Sequence, residues 1–357
     1  MKLALPLLLM LGACTACDPD DGTGGGALDD TATTGDDTDD TASSDDTGQA
    51  FTDADGDGAI DWRVAEDPAT ADCDDDDSAV GPDTERFLPA GAYWRGDEGF
   101  PESTPVLEVT LSPFCVDVLE VTNDQFVIWL DSLVEDGHPR ETEDGEAVYD
   151  FDDDDDEVPQ RIVDVGGDTY EIEEGYGDHP VVEVFFAGAV AYCGDRGKVV
   201  PTEAQWEGAA RDGVDDRLWP WGDEDATCDH ANIRPGPEGV DENGEGVDPC
   251  VDDTVPVASY PDGVTPSGVH DMAGNAAEWV RDWYSAEYFA TGPTEDPQGP
   301  DEPELFEGPS GEFHARISKG GGFATGMDAT RIGFRYIEPD DAASNGMGFR
   351  CARELAY

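Results

Sequence analysis

Apolar and polar positions alternate strictly over Leu107-Glu108-Val109-Thr110-Leu111, which predicts a strand with Leu107, Val109 and Leu111 on its buried face. Cys115-Val116-Asp117-Val118 reads as a second strand. Thr122 followed three residues later by Gln125 predicts a helix start, because the two side chains satisfy each other's orphan backbone donors. Arg161 to Ile172 reads as a hairpin turning at Gly166-Gly167. Ala187 to Arg196 has helical apolar spacing, and Thr202 with Gln205 predicts another capped helix, carrying Trp206. Beyond Gly208 the chain is rich in Gly, Pro and Asp, with few long periodic runs. The pattern as a whole predicts a loop-heavy α+β domain held together by more than its hydrogen-bond ladders.

Upstream of that domain the pattern is different. Met1-Lys2 and a leucine-rich run to Met10 make a basic start and an apolar stretch too short to span a bilayer, so residues 1–13 read as a signal peptide. Leu11-Gly12-Ala13-Cys14 looks like a bacterial lipobox, which implies lipidation of Cys14 and an exported protein anchored in the bacterial cell envelope; ordinary secretion is the alternative. Several acyl chains, at about 0.8 kcal/mol per buried methylene, would make such an anchor firm. Residues 18–50 hold eleven Asp and no Lys, Arg or aromatic residue. A tract of this kind repels itself, so 14–50 is expected to be a disordered acidic linker. Of 32 aromatic residues only Phe51 and Trp62 precede Arg86, which places one sizeable core in 86–357.

Eighteen basic residues against 86 acidic ones give a net charge of −68. A polyanion of this strength excludes nucleic acid and anionic membrane surfaces as electrostatic partners, leaving the lipid anchor as the membrane contact. Divalent cations are favoured instead. Asp53, Asp55, Asp57 and Asp61 occupy positions 1, 3, 5 and 9 of an EF-hand-like loop with Gly58 at 6, but Val64 stands where the closing Glu belongs. With Asp72-Cys73-Asp74-Asp75-Asp76-Asp77 the segment 51–85 resembles the DxDGDG…DCDDxD metal-binding motif of bacterial surface proteins, which implies weak calcium binding. Further solvated linker is the other reading. The run Asp152 to Asp156 reads as a solvated turn. His138, His179, His230, His270 and His314 lack the spacing of a zinc or iron site, and a hydrolase has no Gly-x-Ser-x-Gly elbow. Trp206, Trp219, Trp221 and Trp279 read as core residues.

A series of blocks then follows in order: His179-Pro180-Val181-Val182-Glu183, Gly197-Lys198-Val199-Val200-Pro201-Thr202-Glu203-Ala204-Gln205-Trp206-Glu207, Trp219-Pro220-Trp221-Gly222, Ala231-Asn232-Ile233, Asp271-Met272-Ala273-Gly274-Asn275-Ala276-Ala277-Glu278-Trp279, Lys319-Gly320-Gly321 and Gly348-Phe349-Arg350-Cys351. Over roughly 86–357 these resemble the formylglycine-generating enzyme (sulfatase-modifying factor) family. The resemblance implies a compact C-type-lectin-like α+β fold of low regular content. In that family a cysteine pair after the Lys-Gly-Gly block binds Cu(I), which soft thiolates select. Here Thr325 and Thr330 fall on those positions, Gly322 falls on the family's active-site serine, and no cysteine lies between Cys250 and Cys351. Copper binding and oxidase chemistry are therefore expected to be lost.

The resemblance also implies calcium sites. One maps onto Asn232, the backbone of Ile233 and an acid at Asp252 or Asp253; a second maps onto Asp271, Glu278 and the carbonyls of Gly274 and Ala276. It further implies a disulfide between Cys193 and Cys351. Cys228 with Cys250, as a local pair, and Cys73 with Cys115 are the other pairings considered, and Cys17 has no evident partner. Two functions remain open. One is a non-catalytic, calcium-stabilised module binding a protein or glycan; the other is an oxidoreductase converting a substrate cysteine to formylglycine with unidentified metal ligands.

Overall fold

The computed structural model describes residues 59–355 apart from 64, 66–70, 75–76, 78–79, 82–83, 139, 143, 152–159, 214–215, 241–245 and 309–310. The signal peptide, Cys14, the acidic linker, Asp53, Asp55, Asp57 and the run Asp152 to Asp156 lie outside the described residues. In chain order the first strands are β1 (Ile60–Asp61), β2 (Ala71–Asp72), β3 (Glu85–Leu88), β4 (Gly91–Arg95), β5 (Leu107–Leu111) and β6 (Phe114–Asp117). Helix α1 (Asn123–Asp136), strands β7 (Ile162–Asp164) and β8 (Tyr170–Ile172), and helices α2 (Phe186–Gly194) and α3 (Glu203–Arg211) follow. The chain continues through β9 (Ala277–Trp283), α4 (Ala286–Thr291), β10 (Leu305–Gly308) and β11 (Gly311–Lys319). It ends with β12 (Tyr336–Pro339), β13 (Met347–Gly348) and β14 (Ala352–Glu354). This is a mixed helix and strand fold, as the apolar pattern predicts.

The local signals act where they were read. Both Thr122 and Thr202 form full capping boxes with Gln125 and Gln205, and α1 stops at Gly137, whose φ of 86° suits a residue without a Cβ. Strands β7 and β8 form the expected hairpin. Helix α1 buries Phe126, Trp129 and Leu130 against Tyr149, Tyr192 of α2 and Phe349. A second core gathers Trp206 and the alanines of α3 with Tyr93, Val109, Leu111, Val280 and Ile317. Gly188 lets α2 approach the 140s segment, since a Cβ there would lie 2.1 Å from the Val148 carbonyl oxygen.

The two longest strands, β9 and β11, fall in the stretch where few periodic runs were expected. They pair antiparallel at the centre of a five-stranded sheet ordered β10-β11-β9-β13, with β12 on β11. Their alternation is masked because β9 buries Glu278 and Asp282 among its apolar residues. Those acids are tolerated because cations and backbone donors meet them. In the same way α3 is buried along its whole length although it carries Glu203, Glu207 and Arg211. Glu203 takes both ends of Arg335, at 2.6 and 3.0 Å, and Glu207 takes Lys319 at 2.9 Å.

All three cysteine pairings named from the sequence are present: Cys193–Cys351, Cys228–Cys250 and Cys73–Cys115. The last of them crosses the expected boundary at 85/86. Trp62 stacks on Phe87 with ring centroids 5.8 Å apart, and Arg353 of β14 reaches Asp74 at 3.0 Å. The described part of the aspartate-rich segment is thus packed onto the β14-β6-β3 sheet instead of standing apart from the domain.

Candidate functional site

Residues 271–276 form a tight loop that leads into β9. Asp271, Gly274 and Asn275 have φ of 57°, 77° and 65°, and a Cβ on Gly274 would lie 2.4 Å from the Asn232 carbonyl oxygen. The loop is held from three sides. Gly274 N–H donates to the Gly320 carbonyl at 3.0 Å, Asn275 N–H to the Asn232 carbonyl at 2.9 Å, and Ala277 N–H to the Gly346 carbonyl at 2.7 Å. Left-handed residues at such a junction persist because the surroundings over-determine them. One loop therefore fixes the Asn232 turn, the Lys319-Gly320-Gly321 turn and the 344–348 strand approach relative to each other.

Below this loop lies a buried acidic cluster. Glu278 receives Arg350 through both oxygens at 2.7 Å and also the Trp206 indole N–H at 2.8 Å. Asp271 accepts the Ala258 N–H at 2.7 Å. Glu120, which carries no motif and was not singled out in the sequence, accepts the Asn275 amide at 2.7 Å and the Ala276 N–H at 2.9 Å. Burial pushes the Glu120 carboxyl well up, and the charges of Asp271 and Glu278 add to it; burial likewise raises Asp271. Three acids thus face one arginine. Hard oxygen donors in excess of the local cations fit calcium in kind. Asp271 and the carbonyls of Gly274 and Ala276 are the expected ligands left for it, because Glu278 is committed to Arg350. Among the described residues, the three potential metal-ligand atoms within 4.8 Å of one another belong to Cys73, Glu85 and Cys115, whose sulfurs are joined.

At the other expected calcium position, the Asn232 side chain accepts the Val251 N–H at 3.1 Å and donates to the Asp253 carbonyl at 2.8 Å. The Ile233 carbonyl accepts the Cys250 N–H at 2.8 Å. Asp252 is exposed, and Asp253 is engaged by Arg161 and the Tyr176 hydroxyl. In the aspartate-rich segment, Asp61 accepts from the Arg63 backbone and guanidinium. Pairing of β1 with β2 places it beside Asp72.

The positions expected to have lost copper form a third feature. Thr325 accepts the Gly322 N–H at 2.9 Å and hydrogen-bonds Tyr336. Thr330 is buried, donates to the Met327 carbonyl at 2.8 Å and accepts from the Trp219 indole at 3.3 Å. A Cβ on Gly322 would lie 2.8 Å from the Gly346 carbonyl oxygen. The Cys residues among the described positions are all in disulfides. Two committed hydroxyls and a buried thioether do not fit Cu(I). Beside Thr325 is a cavity of about 160 Å³, lined by Phe323, Ala324, Tyr336, Glu338, Ser344 and Met347 among others.

Comparison with known proteins matches residues 75–355 to the sulfatase-modifying factor enzyme 1-like domain. A formylglycine-generating enzyme of Streptomyces coelicolor is 33% identical over 75% of this chain and 88% of its own length. A serine/threonine-protein kinase pkn1 of Chlamydia caviae is 33% identical over 75% of this chain, but the chain spans 37% of that relative. The solved structure of PvdO from Pseudomonas aeruginosa shares the fold, with a TM-score of 0.52 and 24% identity over 76% of this chain and 94% of that one.

Proposed function

We propose, since the chain belongs to the sulfatase-modifying factor enzyme 1-like family, that it is a non-catalytic member acting as an envelope-anchored, calcium-stabilised module that binds a protein or glycan. The observation that carries this reading is the state of the Thr325 region. Its two hydroxyls are spent on the Gly322 N–H and the Met327 carbonyl, and Gly322 has no room for a side chain. Hydroxyls are poor ligands for a soft metal and the Met327 thioether alone does not replace a thiolate pair, and function resides in the site and not in the fold. The family scaffold would then serve as a C-type-lectin-like display of loops. Lipidation at Cys14 would tether it through the acidic linker, and no helix among the described residues is long and apolar enough to cross a membrane.

Calcium in this reading is held by Asp271 with the carbonyls of Gly274 and Ala276, by Asn232 and Ile233, and by the aspartate-rich segment. Its contribution is to neutralise acids that Arg350 alone leaves in excess. The decisive experiment incubates the purified protein with Cu(I), oxygen and a peptide containing Cys-x-Pro-x-Arg, followed by mass spectrometry. An unchanged peptide is expected. Conversion of the thiol to an aldehyde would overturn the reading in favour of formylglycine generation, the activity in the name of the Streptomyces relative.

A further inference from the structure

Four buried glutamates of this protein are matched to cations: Glu203 to Arg335, Glu207 to Lys319, Glu278 to Arg350 and Glu85 to Arg353. Glu338 on β12 is different. It lines the cavity beside Thr325, its hydrogen bond is to the Ser318 hydroxyl at 3.5 Å, and burial raises its carboxyl with no cation of the described residues to offset it. The nearest candidates are occupied. Arg316 stands directly opposite Glu338 in the β11–β12 register. Its guanidinium lies 3.5 Å from the ring centroids of both Phe186 and Trp283 and donates to the Arg281 carbonyl at 2.8 Å. Arg335, just before β12 and three residues before Glu338, is committed to Glu203.

The rest of the cavity has a matching character. Phe323 and Met347 give it an apolar wall, while Ser344 and Asn345 bring polar atoms to its lining. Its volume of about 160 Å³ suits one extended side chain and not a folded ligand. A cavity with an apolar wall and an uncompensated carboxylate in its lining fits a chain of methylenes ending in a cation, since such side chains bury the stem and keep the charge on a partner. A net charge of −68 draws cations toward the surface from a distance, although only a local counter-ion selects one.

We propose that this cavity receives a single alkylammonium or guanidinium group, the Lys or Arg side chain of a partner polypeptide, with its stem against Phe323 and Met347 and its charge on Glu338. The proposal rests on the binding reading above, for which it supplies the ligand chemistry. Substrate turnover is not required for it.

The test is calorimetric titration of the full chain, at about 300 mM NaCl to screen diffuse attraction, with end-blocked Gly-Lys-Gly, Gly-Arg-Gly and Gly-Gln-Gly and with n-butylammonium. Saturable binding of the cationic tripeptides and none of Gly-Gln-Gly is expected. Glu338→Gln should weaken it at least about tenfold, the scale of one charge-assisted contact, while Glu302→Gln at an exposed position should leave it unchanged. Ala324→Trp, at an exposed lining position, should close the cavity and abolish binding with Glu338 intact, which covers the case of a poorly folded Glu338 variant. Butylammonium binding tighter than the tripeptides would place the cation in a free amine and keep Glu338 as its counter-ion. Equal affinity of Glu338→Gln and the unmodified protein, or no saturable binding of any cation, would overturn the proposal. Neither outcome bears on the oxidation assay, so failure here leaves the non-catalytic reading in place.

Discussion

At the scale of single residues, Glu278 and Arg350 show how a position read as a metal ligand is spent elsewhere. Both are fully buried, with two hydrogen bonds between them and a third from Trp206. Removing one partner strands the other as an unpaired buried charge, so Arg350→Met should destabilise the protein by about 3–5 kcal/mol. The double variant Glu278→Met with Arg350→Met should recover part of that loss in urea melts; equal destabilisation by single and double variants would count against a charge-pairing role. Thr325 and Thr330 make the complementary case. Thr325→Cys with Thr330→Cys supplies two soft ligands at the family positions, and Cu(I) binding should appear in competition with a colorimetric chelator. Continued absence of binding would mean that the two positions do not converge as the family's pair does.

At the scale of elements, helix caps and hairpins were legible because each is written in a few adjacent residues. Thr122 with Gln125 and Thr202 with Gln205 are local instructions, and the structure follows them. The central strands were not legible, since β9 and the C-terminal half of β11 carry Glu278, Asp282 and Lys319 at buried positions. Their polarity makes sense only with partners far along the chain. The candidate site divides in the same way: the Asp271–Glu278 block stands out in one dimension, while Glu120, 155 residues before Asn275, joins it only through folding. The junction of β9 with α3 gives a pH prediction. Asp282 accepts the Glu203 N–H at 2.8 Å, and burial, with the Glu203 charge adding, pushes its carboxyl from 3.8 to about 7. The folded state then holds a proton that the unfolded state releases, so this contribution is fully present below about pH 4 and lost as pH rises through about 7. Asp282→Asn should remove that falling slope from stability measured against pH. A slope unchanged by the substitution would assign it to other groups. Cys193–Cys351 closes a loop of 158 residues, and replacing both by Ser should cost about 4–5 kcal/mol in the chain-entropy account.

For the whole molecule the governing fact is that 86 acidic residues must coexist with 18 basic ones. The fold places many of those cations inside, on Glu203, Glu207, Glu278 and Glu85, where each neutralises an acid that would otherwise be buried alone. Fewer remain to balance the surface, whose self-repulsion opposes the compact state. Two stabilising routes follow and can be separated. Monovalent salt acts through screening over a Debye length that shrinks from about 10 Å at 0.1 M to about 3 Å at 1 M, so the melting temperature should rise with NaCl. Calcium bound as proposed above would act at specific places, by mass action on the folded state, and its effect should saturate. Excess EDTA should therefore lower the melting temperature at low salt and still lower it at about 1 M NaCl, where screening is nearly complete. Asp271→Asn should reduce the EDTA-sensitive part without altering the response to NaCl, because it removes one ligand and hardly changes the total charge. If high salt erases the EDTA effect entirely, the cation is acting as diffuse atmosphere, and the buried acids near Glu120 are held by protonation and by Arg350 alone.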